Sequence, residues 1–399
     1  MSLPTRRGLR LLLLISSLDP DDGGPPDSMR TLSRAFALQG HSCEIVTLDA
    51  PDAAFLTGLD CPVTALGPGR LGKYRYEPRL REWLREHAHR FDVAVLNGLY
   101  QYMTLATWAE FRKLRKPYVV FTHGALDPWF KRRYPLKHFK KWLYWPWADY
   151  RILRDASRVL YTTDDERELA HQSFWLYRAR EAVVGYGAPP PPAPNPSQLE
   201  AFFERFPGLR GTRMVLFLSR IHPKKGCDLL IDAFARVAHR DPRLRLVMAG
   251  PDTVGWQRDL EAQAARLGVV DRIVWTGHLA GDIKWGAFRA AEVFALTSHT
   301  ENFGIAVVEA LACRLPVLIT NRVNIWREVE ESKAGYVADD TPDGASRLMS
   351  QWLDSDATAR AAMMNSAQEL FFRSFEINAV ARNILEAIAA AVDSTDRAS

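Results

Sequence analysis

The sequence of 399 residues holds only four cysteines, Cys43, Cys61, Cys227 and Cys313, far apart and without a Cys-x-x-Cys pair or His/Cys ligand spacing. A disulfide-built scaffold and a thiolate metal centre are excluded, and the four read as buried thiols of a reducing cytosol. A long apolar run is also lacking. Leu9 to Leu18 is broken by Arg10, Ser16 and Ser17 and falls short of the roughly 20 residues of a membrane span. Arg6, Arg7 and Arg10 ahead of Leu11 to Ile15 imitate a targeting segment. No small-x-small site follows, and Asp19, Asp21 and Asp22 come at once, so the run reads as a first buried strand. Glycine and proline, at 24 each, exclude collagen, and 47% hydrophobic with 25% charged residues excludes whole-chain disorder. The length implies two or three domains.

What is present is a moderate positive charge, unevenly placed. Net charge is +5, yet residues 1–195 carry 28 Lys and Arg against 21 Asp and Glu, which leaves the remainder slightly acidic. Short runs of Leu, Val and Ile alternate with longer segments of helical period, the pattern of parallel strands with crossover helices. Strands are predicted at Leu9–Ser16, Cys43–Leu48, Asp92–Leu96, Tyr118–Thr122 and Arg158–Thr162, with a helix over 28–39. Six prolines between Pro189 and Pro196 mark a linker over 189–210. The alternation then resumes with strands at Met214–Ser219, Arg245–Ala249, Arg272–Thr276, Val293–Leu296 and Pro316–Thr320, and a terminal helical region runs over about 358–392. Two α/β domains of similar plan, doubly wound and facing across a cleft, put ligand chemistry at the carboxyl ends of their strands.

Two loops at such ends carry chemistry. After the predicted strand Val293–Leu296 the chain reads Ser298-His299-Thr300-Glu301-Asn302-Phe303-Gly304-Ile305-Ala306-Val307-Val308-Glu309-Ala310. A helix opening near Gly304 turns free amides and its positive end toward the cleft, a cradle for a diphosphate. Glu309 follows within an apolar segment, where a carboxylate is costly without partners such as sugar hydroxyls. The plainer reading makes Glu301 a helix-capping acid and Glu309 a solvated helix residue. After Met214–Ser219 come Arg220, Ile221, His222, Pro223, Lys224, Lys225 and Gly226, where Arg220 and Lys225 can hold phosphate oxygens or be a solvated basic loop.

These residues resemble the retaining glycosyltransferases of family 4, which have the GT-B fold of two Rossmann-like domains. The signature comprises Glu301 to Glu309 with Asn302-Phe303-Gly304 between, Ser219 to Gly226, Ala249-Gly250-Pro251, and Thr276-Gly277-His278-Leu279, in the family's order. It spans nearly the whole chain and is strongest over 213–340. The resemblance implies a nucleotide sugar on the second domain, with Arg220 and Lys225 on the diphosphate, Glu309 on the ribose and Glu301 on the sugar hydroxyls. It further implies that Asn302 and the amides of Phe303, Gly304 and Ile305 serve the phosphates or sugar, and the backbone at Leu279 the base. It also implies that the terminal segment, 371–399, crosses back to a first domain of 1–188, leaving 211–370 as the donor domain.

The first domain adds Asp22-Gly23-Gly24-Pro25, which resembles the family's Gly-Gly loop and could equally be an ordinary turn. It also adds Thr122-His123-Gly124, which resembles the family's His-Gly pair at the reaction centre, although a lone His is often structural. The resemblance implies same-face departure and attack at the anomeric carbon, with Arg220, Lys225 and helix amides serving where other glycosyltransferases use a divalent metal. No cofactor and no metal are expected. Asp19-Pro20-Asp21 and Asp354-Ser355-Asp356 fit a metal-binding Asp-x-Asp pattern, but such pairs arise by chance.

From Trp129 to Arg154 cations are interleaved with Trp, Tyr and Phe, and Asp149 is the only acid. That composition suits an anionic membrane surface or a lipid-diphosphate acceptor. It suits equally a set of packed aromatics with only the cations outside. No nucleic-acid motif accompanies it, and nucleic acid is not expected as a partner. The sequence is thus read as a cytoplasmic glycosyltransferase, peripheral on the inner face of the membrane, acting on a glycan or lipid-linked acceptor in polysaccharide or lipopolysaccharide assembly. A nucleotide-sugar epimerase of similar fold and a non-catalytic sugar-nucleotide binding protein remain as rivals.

Overall fold

The computed structural model describes residues 8–22, 24–129, 131 and 135–396. The described chain forms two compact units, Met1–Pro189 with Ile377–Ser399, and Pro190–Glu376. Gly23 and, from the basic aromatic stretch, Phe130, Arg132, Arg133 and Tyr134 lie outside the described residues.

The first unit is a parallel sheet of β1 (Arg10–Ile15), β2 (Ser42–Thr47), β3 (Val63–Ala65), β4 (Val93–Asn97), β5 (Tyr118–Phe121), β6 (Arg158–Tyr161) and β7 (Glu181–Val183), in the order β3-β2-β1-β4-β5-β6-β7. Its central strand shows why the apolar runs are continuous. Leu11, Leu13 and Ile15 pack on one face with Met29 and Phe36, while Leu12 and Leu14 pack on the other with Leu80, Leu84 and Phe111. A strand covered on both faces needs apolar residues at every position. The helix Ile377–Asp396 lies on the first of these faces, with Ile377, Val380, Ala381, Ile384, Leu385 and Ile388 buried at helical spacing.

The second unit repeats the plan with β8 (Arg213–Leu218), β9 (Leu244–Ala249), β10 (Ile273–Gly277), β11 (Val293–Leu296), β12 (Val317–Thr320) and β13 (Gly335–Ala338), all parallel, in the order β10-β9-β8-β11-β12-β13. This is the α/β architecture expected, two doubly wound sheets.

Two boundaries differ from the sequence reading. The segment 189–210 is not linker throughout: Pro196 opens a helix, Pro196–Arg205, capped by the Asn195 side chain and packed through buried Phe202. Proline is favoured there because a first-turn amide has no helical partner to lose. The terminal helical region is also divided. Phe371 and Phe375 are buried within the second unit, the chain turns extended at Glu376, and the helix that joins the first unit starts at Ile377 rather than 371.

Candidate functional site

In the second unit the strand order reverses between β8 and β11, which are hydrogen-bonded neighbours with Val293 opposite Val215. The loops leaving these two strands, Ser219–Gly226 and Thr297–Gly304, therefore run together at the carboxyl edge, where open α/β sheets take ligands. They are bolted to each other. Thr297 Oγ1 donates to the Gly226 carbonyl at 2.7 Å, and the His299 amide donates to the Lys224 carbonyl at 3.0 Å. Gly226 has φ 62°, and a Cβ there would lie 1.9 Å from the Thr297 carbonyl oxygen, so only glycine permits the approach.

This joint brings Lys225 and Glu301 together: the buried Lys225 ammonium pairs with Glu301 Oε2. Burial alone would raise the Glu301 carboxyl. The Lys225 charge and hydrogen bond, the Lys224 charge and the Phe303 amide outweigh it and hold the group below the ordinary carboxylate range. Arg220 is exposed and, among the described residues, has no acidic partner. The His222 ring reports the local potential, pushed down by burial and then by the charges of Arg220, Lys224 and Lys225.

Beyond Glu301 the helix Ile305–Ala312 opens at Gly304, left-handed at φ 82°, with no acidic side chain in its first turn. Its positive end is met by Glu301, which stands just ahead of it, and not by a residue of the helix itself. Half-buried Asn302 precedes it, and Phe303 anchors it, edge-on to Phe375 at 5.6 Å. The Phe303 amide, expected to serve a phosphate or sugar, donates to the Glu301 carboxylate here. Glu309 is not a solvated helix residue: Lys284 Nζ lies 2.6 Å from its Oε1, and Lys284 stands on the helix Gly281–Ala290 that follows buried Leu279.

In the first unit the reversal falls between β1 and β4. Here His123, just past β5 and left-handed at φ 47°, donates from Nε2 to Asn97 Oδ1 at 2.9 Å. Its ring stacks on Phe121 at 5.4 Å and meets Tyr186 edge-on at 6.1 Å. Burial pushes its pKa down to about 4 against a smaller opposing effect of the Glu166 charge. Tyr186 Oη donates to the Gly24 carbonyl at 3.3 Å, which ties the start of the helix Gly24–Leu38 to the same corner.

Two family models match the chain, one described as "Glycosyl transferase 4-like domain" over residues 23–187 and one as "Glycosyl transferases group 1" over 201–370. The chain belongs to the GT-B glycosyltransferases of the family-4 type. Mannosylfructose-phosphate synthase of Agrobacterium fabrum is 26% identical over 350 residues, 80% of this chain and 76% of that one. D-inositol 3-phosphate glycosyltransferase of Salinispora tropica is 32% identical over 187 residues, 45% of this chain and 38% of its own length, so this chain spans well under half of it. In fold the chain is similar to Anabaena HepE, solved in complex with UDP and glucose, with a TM-score of 0.76 at 21% identity over 96% of this chain and 99% of that one.

Within this glycosyltransferase the structure adds residues that the sequence did not single out. Glu166 is buried and accepts four hydrogen bonds: Oε1 from Thr122 Oγ1 and the Gly124 amide, each at 2.6 Å, and Oε2 from the Thr162 amide and Oγ1, each at 2.7 Å. It pins the turn that carries His123. Its only sequence signal is Thr163-x-x-Glu166, an N-cap pattern in which Thr163 does accept from the Glu166 amide. Of the Asp-x-Asp pairs, Asp354 pairs with Arg240 and Asp356 caps the helix Ala357–Leu370, while the Asp21 side chain lies outside the described part of the structure. Among the described residues no three His, Cys, Asp or Glu gather as metal ligands.

The basic aromatic stretch divides by face. Trp145 is fully buried, stacked on Phe174 at 4.0 Å, and Lys141 lies 4.1 Å over the Tyr100 ring. On the helix Pro135–Tyr144 the other face is open: Leu136, Phe139, Trp142 and Leu143 are exposed, as is Trp147 beyond it. The aromatics are therefore not all packed inward with only cations outside.

Proposed function

We propose that this chain moves a sugar, with retention of anomeric configuration and without a metal ion, from a UDP- or GDP-linked donor to a glycan acceptor. The acceptor is lipid-linked and belongs to polysaccharide or lipopolysaccharide assembly at the cytoplasmic face of a membrane. The observation that carries the reading is the bolted pair of loops beyond β8 and β11, which sets Lys225, Glu301 and the start of the helix Ile305–Ala312 at one strand edge beside exposed Arg220.

In this reading Arg220, Lys225 and the Gly304 and Ile305 amides meet the diphosphate and offset the charge that develops on it as the glycosidic C–O bond breaks. Glu301 and Asn302 hold the sugar hydroxyls, Glu309 the ribose, and the backbone at Leu279 the base. The acceptor oxygen forms its bond on the face the phosphate leaves, and the acceptor proton passes to that phosphate oxygen. The Gly23-Gly24 pair is donor-binding in this reading, on its resemblance to the family's Gly-Gly loop. His123, neutral by its surroundings, takes a sugar hydroxyl bond at its other ring nitrogen. The cluster Leu136, Phe139, Trp142, Leu143 and Trp147 supports contact with an anionic membrane surface, since apolar side chains among cations suit the headgroup region.

The test is calorimetry of UDP, GDP, ADP and their sugar conjugates in EDTA, on wild type and Glu309→Ala. Micromolar binding of one nucleotide, weakened by the substitution, is the expected result. Binding that appears only when a divalent ion is restored overturns the metal-independent reading.

A further inference from the structure

A second concavity in the unit Pro190–Glu376 has no part in the site above. It has a volume of about 450 Å³ and is walled by Phe288, Leu315 and Met364 on its apolar side. Ala291 and Glu292 lead into β11, and Cys313 to Leu315 lead toward β12, so the cavity lies at the amino edge of the sheet. The loops 219–226 and 297–304 leave the opposite edge.

Three arginines border it, and their charge is poorly matched. Arg289 donates to Gln198 Oε1 and the Pro192 carbonyl, Arg314 to Asn365 Oδ1 at 2.6 Å, and Arg360 to the Trp352 carbonyl at 2.9 Å, all neutral acceptors. The one bordering carboxylate, Glu292, is engaged by Arg213 at 2.8 Å and stands 3.9 Å from Arg360. Two donors are also left over. Trp352 is 2% exposed with no partner for its indole N–H, and the Nε–H of Arg360, whose guanidinium lies 4.7 Å over the Trp352 ring, has none either. Both nitrogens are closed off by the packing around them, so it is the excess of guanidinium beside an apolar wall that selects for acceptor oxygens on an apolar body.

We propose that this cavity binds a small organic anion, a phosphate or carboxylate carried on an apolar group, as a site separate from that of the nucleotide sugar. The anion oxygens lie among the guanidinium groups of Arg289, Arg314 and Arg360, and the apolar part covers Phe288, Leu315 and Met364. Because Arg289 also holds the Pro192 carbonyl and Pro194 borders the cavity, the bound anion braces the proline-rich segment.

Titration calorimetry with phenyl phosphate as probe, in EDTA, tests this on the full chain and two variants. Saturable binding is expected in wild type, unchanged in Lys225→Met, and weakened about tenfold in Arg314→Gln, an exposed position that leaves the core intact. Absence of saturable binding in wild type overturns the proposal. So does binding that Lys225→Met abolishes and Arg314→Gln leaves untouched, because the probe would then be reading the diphosphate site.

Discussion

The Asn97 amide fixes the tautomer of His123. Its nitrogen lies 3.3 Å from the Leu14 carbonyl and 3.5 Å from the Val95 carbonyl, so its oxygen is the atom that faces His123 Nε2 at 2.9 Å. The proton is therefore on Nε2, and Nδ1 keeps its lone pair. With its pKa at about 4 the ring is neutral in the fold while an unfolded histidine takes a proton near 6.5. The unfolded state then binds more protons between those values. Stability contributed by His123 is complete above pH 6.5 and falls as the pH drops toward 4, by up to about 3 kcal/mol. Asn97→Asp sets a carboxylate against Nε2–H, and the ring pKa is expected to rise by more than one unit. NMR titration of the imidazole checks this, with wild type showing no His123 titration between pH 5.5 and 8.

Glu166 makes a sharper demand on chemistry than its burial suggests. Each of its oxygens accepts one backbone amide, Gly124 on Oε1 and Thr162 on Oε2. Hydroxyls can rotate to suit a new partner, but amides cannot. Glu166→Gln must therefore turn an NH2 group onto one of two N–H groups, a loss of about 2 kcal/mol, read as a lower denaturant midpoint with unchanged slope. Turnover falls with it because His123 sits in the turn that Gly124 closes.

Lys225 and Glu301 are coupled for folding and separate in function. Removing Lys225 alone leaves the Glu301 carboxylate half-buried without its main counter-charge. Lys225→Met is expected to cost about 2 kcal/mol or more in unfolding free energy and about 100-fold in kcat/KM. Adding Glu301→Gln removes the stranded charge, so the double variant regains most of the stability and none of the turnover. Recovery of both would assign Lys225 a purely structural part.

Much of this architecture was legible in the chain itself, and the reason differs by residue. Leu11 to Ile15 announces a strand buried on both faces because neither face tolerates a polar side chain. Loops beyond β8 and β11 were legible because glycine, lysine and glutamate stand at fixed offsets from apolar runs, and strand order then made them neighbours. Lys284 was not, since it lies 25 residues before Glu309 on a helix whose amphipathic pattern gives its lysine no distinction. Asn97 and Glu166 were hidden for the same reason: their meaning rests on which strand ends adjoin, β4 beside β5 and β5 beside β6. The break at Glu376 was missed because Phe371 and Phe375 continue the helical period without belonging to the helix that follows.

The exposed face of Pro135–Tyr144 gives a prediction in which charge and apolar area act separately. Leu136 is 82% and Trp147 70% exposed, with Phe139, Trp142 and Leu143 between them and Lys140 on the same open side. Opposite, Trp145 and the half-buried Lys141 hold the helix to the unit, so substitutions on the outer face leave the core alone. Trp142→Ser with Trp147→Ser is expected to lower binding to vesicles of phosphatidylglycerol and phosphatidylcholine at every salt concentration. Lys140→Glu is expected to lower it at least about fivefold at low salt, an effect that fades as ionic strength rises, since each interfacial cation contributes about 1 kcal/mol and is screened. Cosedimentation measures both. If neither variant differs from wild type, or wild type stays in the supernatant, the outer face is not a membrane contact.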